Sequence, residues 1–410
     1  MALMPLLIDV DGGRATLIVT PGNQEESNML RALRAKVIIV KTSMKRMLMI
    51  VLLLGSLISV EGSAQTSAPS SSETRKQEPA ATVYSQNPAA NQLFLQAREY
   101  YNKSDPRIAG GKLANAREAI KLYEQAVRQD PKFALAYVEM SRAWLRLGYS
   151  DPDGLGIEAL LPPARAALLK ALAIDNKLAD VHLTLAALYY NLDYDWAGAE
   201  REYKLALELA PNNAAAHTGY AAYLGSMGRF AEALDAAARA DELAPSINND
   251  IIRARLYYSM HRYDEAADYC QRSLKKGENV LGHFYLGFVY VAQQKYDQAI
   301  AEFKTGAGFS NNGGALAGLA YGYAMGGRKD DALKIIDELK TSFNGSRIVP
   351  YRFAAVYLAL GDKDQAIEWL KRDYEARGNW MNQLKVDPVM DPLRSDARFK
   401  QLMRQMKFKG

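Results

Sequence analysis

The chain is organised by a spacing. Alanines at the first turn of every second predicted helix fall at Ala199, Ala233, Ala266, Ala299, Ala332 and Ala366, separated by 34, 33, 33, 33 and 34 residues. A small residue in the preceding helix keeps step, at Ala221, Ala254, Gly287, Ala320 and Ala354. Three positions further on stands a large one: Leu224, Tyr257, Tyr290, Tyr323 and Tyr357. Two antiparallel helices cross closely only where one offers nothing larger than a methyl group, and a bulkier side chain there overpacks at about 1–3 kcal/mol. The pattern therefore predicts helical hairpins stacked in a row. Short turns join their helices at MGRF (227–230), MHRY (260–263), GGRK (326–329) and LGDK (360–363), and Pro211 and Pro245 stop second helices.

These residues resemble the tetratricopeptide repeat family, with its W-x2-L-G-x2-Y, A-x3-F and terminal P over 34 positions. The stretch AAAHTGYAAYLGSMGRFAEALDAAARADELAP (214–245) matches almost throughout, whereas Asn176, Glu278, Asn311 and Asn344 replace the terminal proline elsewhere. The resemblance implies an all-α fold: a right-handed α-solenoid of about eight helix-turn-helix repeats with a C-terminal capping helix. Two earlier units carry Ala119, Tyr123, Ala126 and Pro131, then Ala164, Leu168 and Ala171. Their looser spacing is explained by insertions at 103–114 and 149–160, which should lie side by side along one edge, as part of a binding face or as decoration. In the tail, Asp391 before Pro392 reads as the N-cap of a polar final helix that covers the last apolar face. The tail, with YDWAGAEREYKLALELAPN and LKVDPVMDPLRSDARF, is similar to the sensory repeat half of bacterial multidomain regulators built on winged-helix, Ser/Thr kinase or adenylate cyclase domains.

Ahead of the repeats, residues 44–64 combine a basic head, the apolar run LMIVLLLGSLISV and small residues before Gln65, which describes a secretory signal peptide or signal anchor. Residues 1–43 are expected to be a non-native or unstructured extension if translation starts at Met44. If Met1 is the start, residues 47–60 form a membrane tether with the N-terminus held inside. Both readings send the repeats out of the cytoplasm, to the periplasm or beyond, secreted or anchored at the inner membrane. Residues 65–88, rich in Ser, Ala, Pro, Thr and Gln, read as a flexible linker, and the solenoid is assigned to 89–410.

Composition narrows the function. The net charge of the 410 residues is +5, but seven Lys/Arg and four Asp/Glu fall in the first 46, which leaves the repeats near neutral and argues against nucleic-acid binding. A single cysteine, Cys270, excludes an intrachain disulfide and falls on a packing position. Of the four histidines, His182, His217 and His283 recur at the fourth position of their units and His261 lies in a turn, so a shared metal site is not expected. The sequence contains no HExxH, GxSxG or phosphate-binding loop, and GGALAG (313–318) leads into a first helix rather than following a strand. No cofactor, metal or catalytic residue is assigned, and the chain reads as a binding protein rather than an enzyme.

In such arrays the resemblance places the first helices on the concave side. Their inward positions hold Tyr190, Tyr258, Phe284, Phe288, Tyr321 and Tyr351, with Arg142, Arg146, Arg255 and Arg352 interspersed. Aromatics and arginine dominate binding hot spots, although the same residues also serve to pack helices. The family's clamp for a C-terminal carboxylate is not reproduced: Val138, Ile251, Phe284 and Ala317 stand at comparable positions. The expected ligand is an extended protein or peptide segment, bound by an extracytoplasmic adaptor or, alternatively, by a sensory module of a separately encoded regulator.

Overall fold

The computed structural model describes residues 7–11, 14–18, 84–105, 112–150, 156–309, 313–342 and 349–408. Two units separate, residues 1–80 and 81–410. The described part of the first is one antiparallel hairpin, β1 (Leu7–Asp11) with β2 (Arg14–Ile18), in which Leu7 faces Ile18 and Asp11 faces Arg14. The sequence reading expected no element there. The apolar-polar alternation on either side of Gly12-Gly13, a dipeptide suited to a two-residue hairpin turn, accounts for it. Residues 44–64, expected to direct export, and the following stretch up to residue 83, expected to be a linker, lie outside the described residues.

Among its described residues the second unit is helical, in eight consecutive pairs. They are α1 (Pro88–Asn102) with α2 (Ala114–Gln129), α3 (Ala134–Ser150) with α4 (Gly156–Ile174), and α5 (Ala179–Leu188) with α6 (Trp196–Leu209). Then come α7 (Ala214–Ser226) with α8 (Phe230–Leu243), α9 (Ile247–Ser259) with α10 (Tyr263–Lys276), and α11 (Val280–Ala292) with α12 (Tyr296–Phe309). The last two are α13 (Gly313–Met325) with α14 (Lys329–Ser342), and α15 (Pro350–Ala359) with α16 (Lys363–Glu375). Two 3-10 turns, Met381–Gln383 and Pro388–Leu393, lead to α17 (Ala397–Gln405). None of the described helices is long and apolar enough to cross a membrane.

The repeat starts earlier than its pattern suggested. Tyr84 packs on Phe94 with ring centroids 5.1 Å apart, Ser85 donates to Asp130 at 2.6 Å, and Asn87 caps α1 through the Ala89 and Ala90 N–H groups. The insertions resolve differently from one another. The first lies between α1 and α2, with 106–111 outside the described residues, whereas the second is largely absorbed into the longer α3 and α4, with 151–155 outside the described residues.

The small-residue rule is visible in the packing. Ala199, Ala233, Ala266, Ala299, Ala332 and Ala366, together with Ala221, Ala254, Ala320 and Ala354, are completely buried. At Gly287 a Cβ would sit 2.6 Å from the Phe303 ring, and at Gly318 it would sit 2.9 Å from the same ring. That fully buried phenylalanine fits only because α11 and α13 present bare backbone to it.

One turn, used five times, joins the helices of a pair. The backbone N–H groups of Arg229, Arg262, Lys295, Arg328 and Asp362 donate to the carbonyls of Leu224, Tyr257, Tyr290, Tyr323 and Tyr357 at 2.8–2.9 Å. The residue just before each donor is left-handed: Gly228, His261, Gln294, Gly327 and Gly361, with φ between 59° and 84°. This is the 6→1 closure of a helix C-terminus. In three copies the donor's own side chain lies over the tyrosine ring: Arg262 over Tyr257 (4.7 Å), Lys295 over Tyr290 (5.8 Å) and Arg328 over Tyr323 (4.3 Å).

The end of the chain departs most from expectation. Asp396, not Asp391, caps the final helix, accepting from the Arg398 N–H, while Asp391 falls inside the second 3-10 turn and pairs with Arg394 at 2.6 Å. Instead of only covering the last pair, residues 376–408 run back to the third pair. Tyr194 Oη donates to the Gly378 carbonyl at 2.9 Å, and Trp196 Nε1 to the Met406 carbonyl at 2.7 Å. Trp196 also stacks on Phe408, with centroids 4.7 Å apart. The apolar core from Ala186 onward is consequently continuous with Met381, Leu384, Met390, Leu393, Phe399, Leu402 and Met406.

Candidate functional site

Eight of the ten residues expected to bind a partner form one wall. Tyr190 lies on the π-helical turn Tyr189–Asp193 that ends α5, Arg255 and Tyr258 on α9, Phe284 and Phe288 on α11, Tyr321 on α13, and Tyr351 and Arg352 on α15. The rings touch in series: Phe284 meets Phe288 at 4.8 Å, Phe288 stacks on Tyr321 at 5.0 Å, and Tyr258 meets Phe288 edge-on at 6.3 Å. The register that aligns the small residues on one helix face aligns these on another.

The wall is not open. Tyr190, Tyr258, Phe284, Phe288, Tyr321, Tyr351 and Arg352 are between 0% and 7% exposed, because the C-terminal segment lies on them. Trp380 meets Phe284 at 6.1 Å and Tyr285 at 6.4 Å, and the Arg352 guanidinium sits 3.9 Å from the Trp380 ring and 4.3 Å from the Phe284 ring. Gln383 Nε2 donates to Ser226 Oγ at 2.6 Å and to Tyr190 Oη at 3.1 Å, and Asn382 Nδ2 to Asn191 Oδ1 at 2.9 Å. Tyr351 Oη donates to Asp387 at 2.9 Å, and Arg377 reaches Asp193 at 3.4 Å. What space remains between wall and segment is a cavity of about 20 Å³ lined by Arg255, Tyr258, Ser259, Tyr285, Phe288 and Arg352 on one side and Trp380, Gln383 and Asp387 on the other. That is room for about one water molecule.

Burial dominates the electrostatics of this seam. It pushes the Asp387 carboxyl above the usual carboxylate range, against the opposing pull of Arg352 and the hydrogen bonds from the Val389 N–H and Tyr351. Asp373 on α16 is pushed up to about 7 by the same desolvation, against the Tyr351 N–H and the Arg352 charge. The hydroxyls of Tyr258 and Tyr351 are raised well above the tyrosine range, so they remain donors. Arg352 Nη2 and Asp373 Oδ2 are buried without a hydrogen-bond partner among the described residues.

Arg142 and Arg146 do not belong to the wall. Arg142 bonds Glu139 (2.9 Å), Asp180 (2.7 Å) and Thr184 (3.0 Å), fastening α3 to α5. Arg146 lies 3.7 Å from the Tyr101 ring and donates to the Tyr101 carbonyl and Ser104. An arginine at an inward register position staples neighbouring repeats as readily as it meets a ligand. Conversely, Trp380, Gln383 and Asp387 were not anticipated as wall partners; the only signal was that NQLKVDPVMDPLRSD breaks the repeat.

The three recurrent histidines brace the turns between pairs. The Nε2 atoms of His182 and His217 lie 2.9 and 2.8 Å from the carbonyls of Asn176 and Pro211, while His283 Nε2 meets Glu278 at 2.8 Å. On the other side of the ring, Nδ1 of His182 and His283 meets Glu202 and Glu302, each at 2.7 Å. Cys270 is fully buried on α10, where desolvation raises its thiol far above the ordinary range. Among the described residues no group of His, Cys, Asp and Glu is placed to hold a metal ion.

No protein-family model matches the sequence, and no curated protein matches it. Solved structures do match. The Rap protein complexed with competence and sporulation factor aligns with 14% identity and a TM-score of 0.53, over 78% of this chain and 97% of that one. The APC/C hetero-tetramer Cut9-Hcn1 aligns with 16% identity and a TM-score of 0.51, over 77% and 55% of the two chains. A thermophilic TPR protein of Thermus thermophilus aligns with 18% identity and a TM-score of 0.39, over 53% and 98%. Among its described residues, the second unit has the fold of an all-α solenoid of the tetratricopeptide-repeat type.

Proposed function

We propose that this chain is a non-catalytic scaffold that binds protein segments along its wall of first helices and works outside the cytoplasm. One observation carries the binding reading: the wall holds a largely non-helical stretch of polypeptide through tilted aromatic contacts, an arginine over a tryptophan ring and side-chain amides, the contacts a peptide site needs. Fold alone does not give function. Two structures of this fold were solved as assemblies, Rap with competence and sporulation factor and Cut9 with Hcn1, and this supports a protein partner here. The location rests on residues 44–64, whose basic head, apolar run and small residues suit export.

Both parts are tested in the native cell. Full-length chain carrying an internal affinity tag within residues 106–111 is cross-linked in intact cells, purified and read by mass spectrometry, while spheroplasts are treated with external protease. A reproducible partner cross-linked to the wall helices, and digestion before lysis, are expected. Recovery without any partner overturns the scaffold reading. Protection until lysis overturns the location and favours a cytoplasmic sensory module, the reading suggested by the tail's likeness to regulator repeats.

A further inference from the structure

We infer that residues 377–387 are a built-in pseudo-ligand, and that the wall they cover takes a protein segment of the same chemistry: an aromatic side chain, a side-chain amide three residues later and a carboxylate four beyond that. The inference deepens the scaffold reading and rests on it. The three side chains are Trp380, Gln383 and Asp387, and together they form one side of the cavity whose other side holds Arg255 and Arg352. Two arginines beside Tyr258, Tyr285 and Phe288 call for an acidic group, and Asp387 supplies one.

The fit is imperfect in a way a partner could improve. Arg352 is 4% exposed, and its Nη2 makes no hydrogen bond among the described residues. Asp387 is held instead by Tyr351 Oη and the Val389 N–H. A carboxylate from another chain that reached Nη2 would satisfy an atom the internal segment leaves orphaned. Residues 377–387 contain only a single 3-10 turn, whereas the following stretch carries α17 with anchors of its own at Phe399, Leu402 and Met406. The segment leaves α16 through a tight turn at Arg377, whose φ is 52°, and Gly378, where a Cβ would lie 2.2 Å from the Asp373 carboxyl. It is thus bounded by a tight turn on one side and an independent anchor on the other.

The test uses the full chain and a fluorescein-labelled synthetic peptide of residues 377–387, RGNWMNQLKVD, read by anisotropy. A Trp380→Ala/Gln383→Ala chain is expected to bind the peptide at least tenfold more tightly than the unaltered chain, and adding Arg352→Met should remove that gain. Equal affinity for the unaltered and double-variant chains, both folded by circular dichroism, overturns the inference. If the double variant does not fold, hydrogen exchange on the unaltered chain decides. Amides of 381–387 are expected to exchange at least tenfold faster than those of α17; exchange of both only with global unfolding overturns it. A cross-linked partner that the peptide fails to displace defeats this inference and leaves the scaffold reading standing. Peptide binding with no cellular partner does the reverse.

Discussion

Gln294 occupies a backbone position that three of its four counterparts, Gly228, Gly327 and Gly361, fill with glycine. Its φ of 59° is left-handed, its side chain is exposed, and a residue with a Cβ in that region is strained by about 1–2 kcal/mol. Gln294→Gly should therefore raise stability by about 0.5–1 kcal/mol, the relief being partly offset by glycine's extra freedom when unfolded, as read by urea denaturation. The buried acids make a second prediction. Asp373 titrates near 7 in the folded chain against 3.8 ordinarily, so the folded state holds a proton that the unfolded state has lost between those values. Its contribution is largest below about pH 4, declines up to about pH 7 and then levels. His283, raised chiefly by its hydrogen bond to Glu302, acts in the same sense at higher pH: its contribution is full below the ordinary histidine value and fades as pH climbs through the raised one. Denaturation midpoints should fall from pH 4 toward neutrality, and Asp373→Asn should flatten the lower part of that slope. An unchanged slope would mean that Asp373 is not buried in the folded chain. At this scale the sequence was readable where the repeat register spoke, as at Tyr258, Phe288 and Tyr321. It placed Arg142 and Arg146 in the same groove, whereas both staple neighbouring repeats, because partners such as Asp180 belong to another repeat and only three dimensions bring them close.

Helices and their turns were the most legible part, since each pair repeats the same local physics. Small residues fix where two helices cross, and a left-handed residue, followed by a basic one in four of the five turns, fixes how the chain reverses. Glycines in one repeat illustrate both extremes. At Gly287 a Cβ would meet the Phe303 ring at 2.6 Å, so Gly287→Ala should cost about 1–3 kcal/mol. At Gly308, exposed and near the end of α12, nothing lies within 4 Å, so Gly308→Ala should gain up to about 1 kcal/mol from helix propensity. Thermal melts of the two variants shifting in opposite directions would confirm the crossing geometry; equal shifts would contradict it. Elements outside the repeat were read less well. Asp387, Asp391 and Asp396 all precede or lie beside turn-forming residues, and three competing caps within ten positions cannot be ranked without knowing which helix end is buried.

For the whole molecule, the repeat pattern predicts an open groove because it contains no information about residues that do not repeat. The C-terminal segment is such a piece. Its path is set by distant partners: Tyr194 and Trp196 in the third pair, Ser226 in the fourth, Arg352 in the eighth. Those contacts connect residues up to 210 positions apart, beyond the reach of any local pattern. The wall and its covering also explain why so many hot-spot residue types are buried within a single chain. The most direct test is a cysteine pair at Asn191 and Asn382, whose side chains lie 2.9 Å apart, in a chain whose native Cys270 is buried. With a short bis-maleimide at low protein concentration, the segment lying on the wall predicts fast, near-complete intrachain cross-linking of Asn191→Cys/Asn382→Cys. No intrachain product, with both thiols reactive toward a monofunctional reagent, would contradict it.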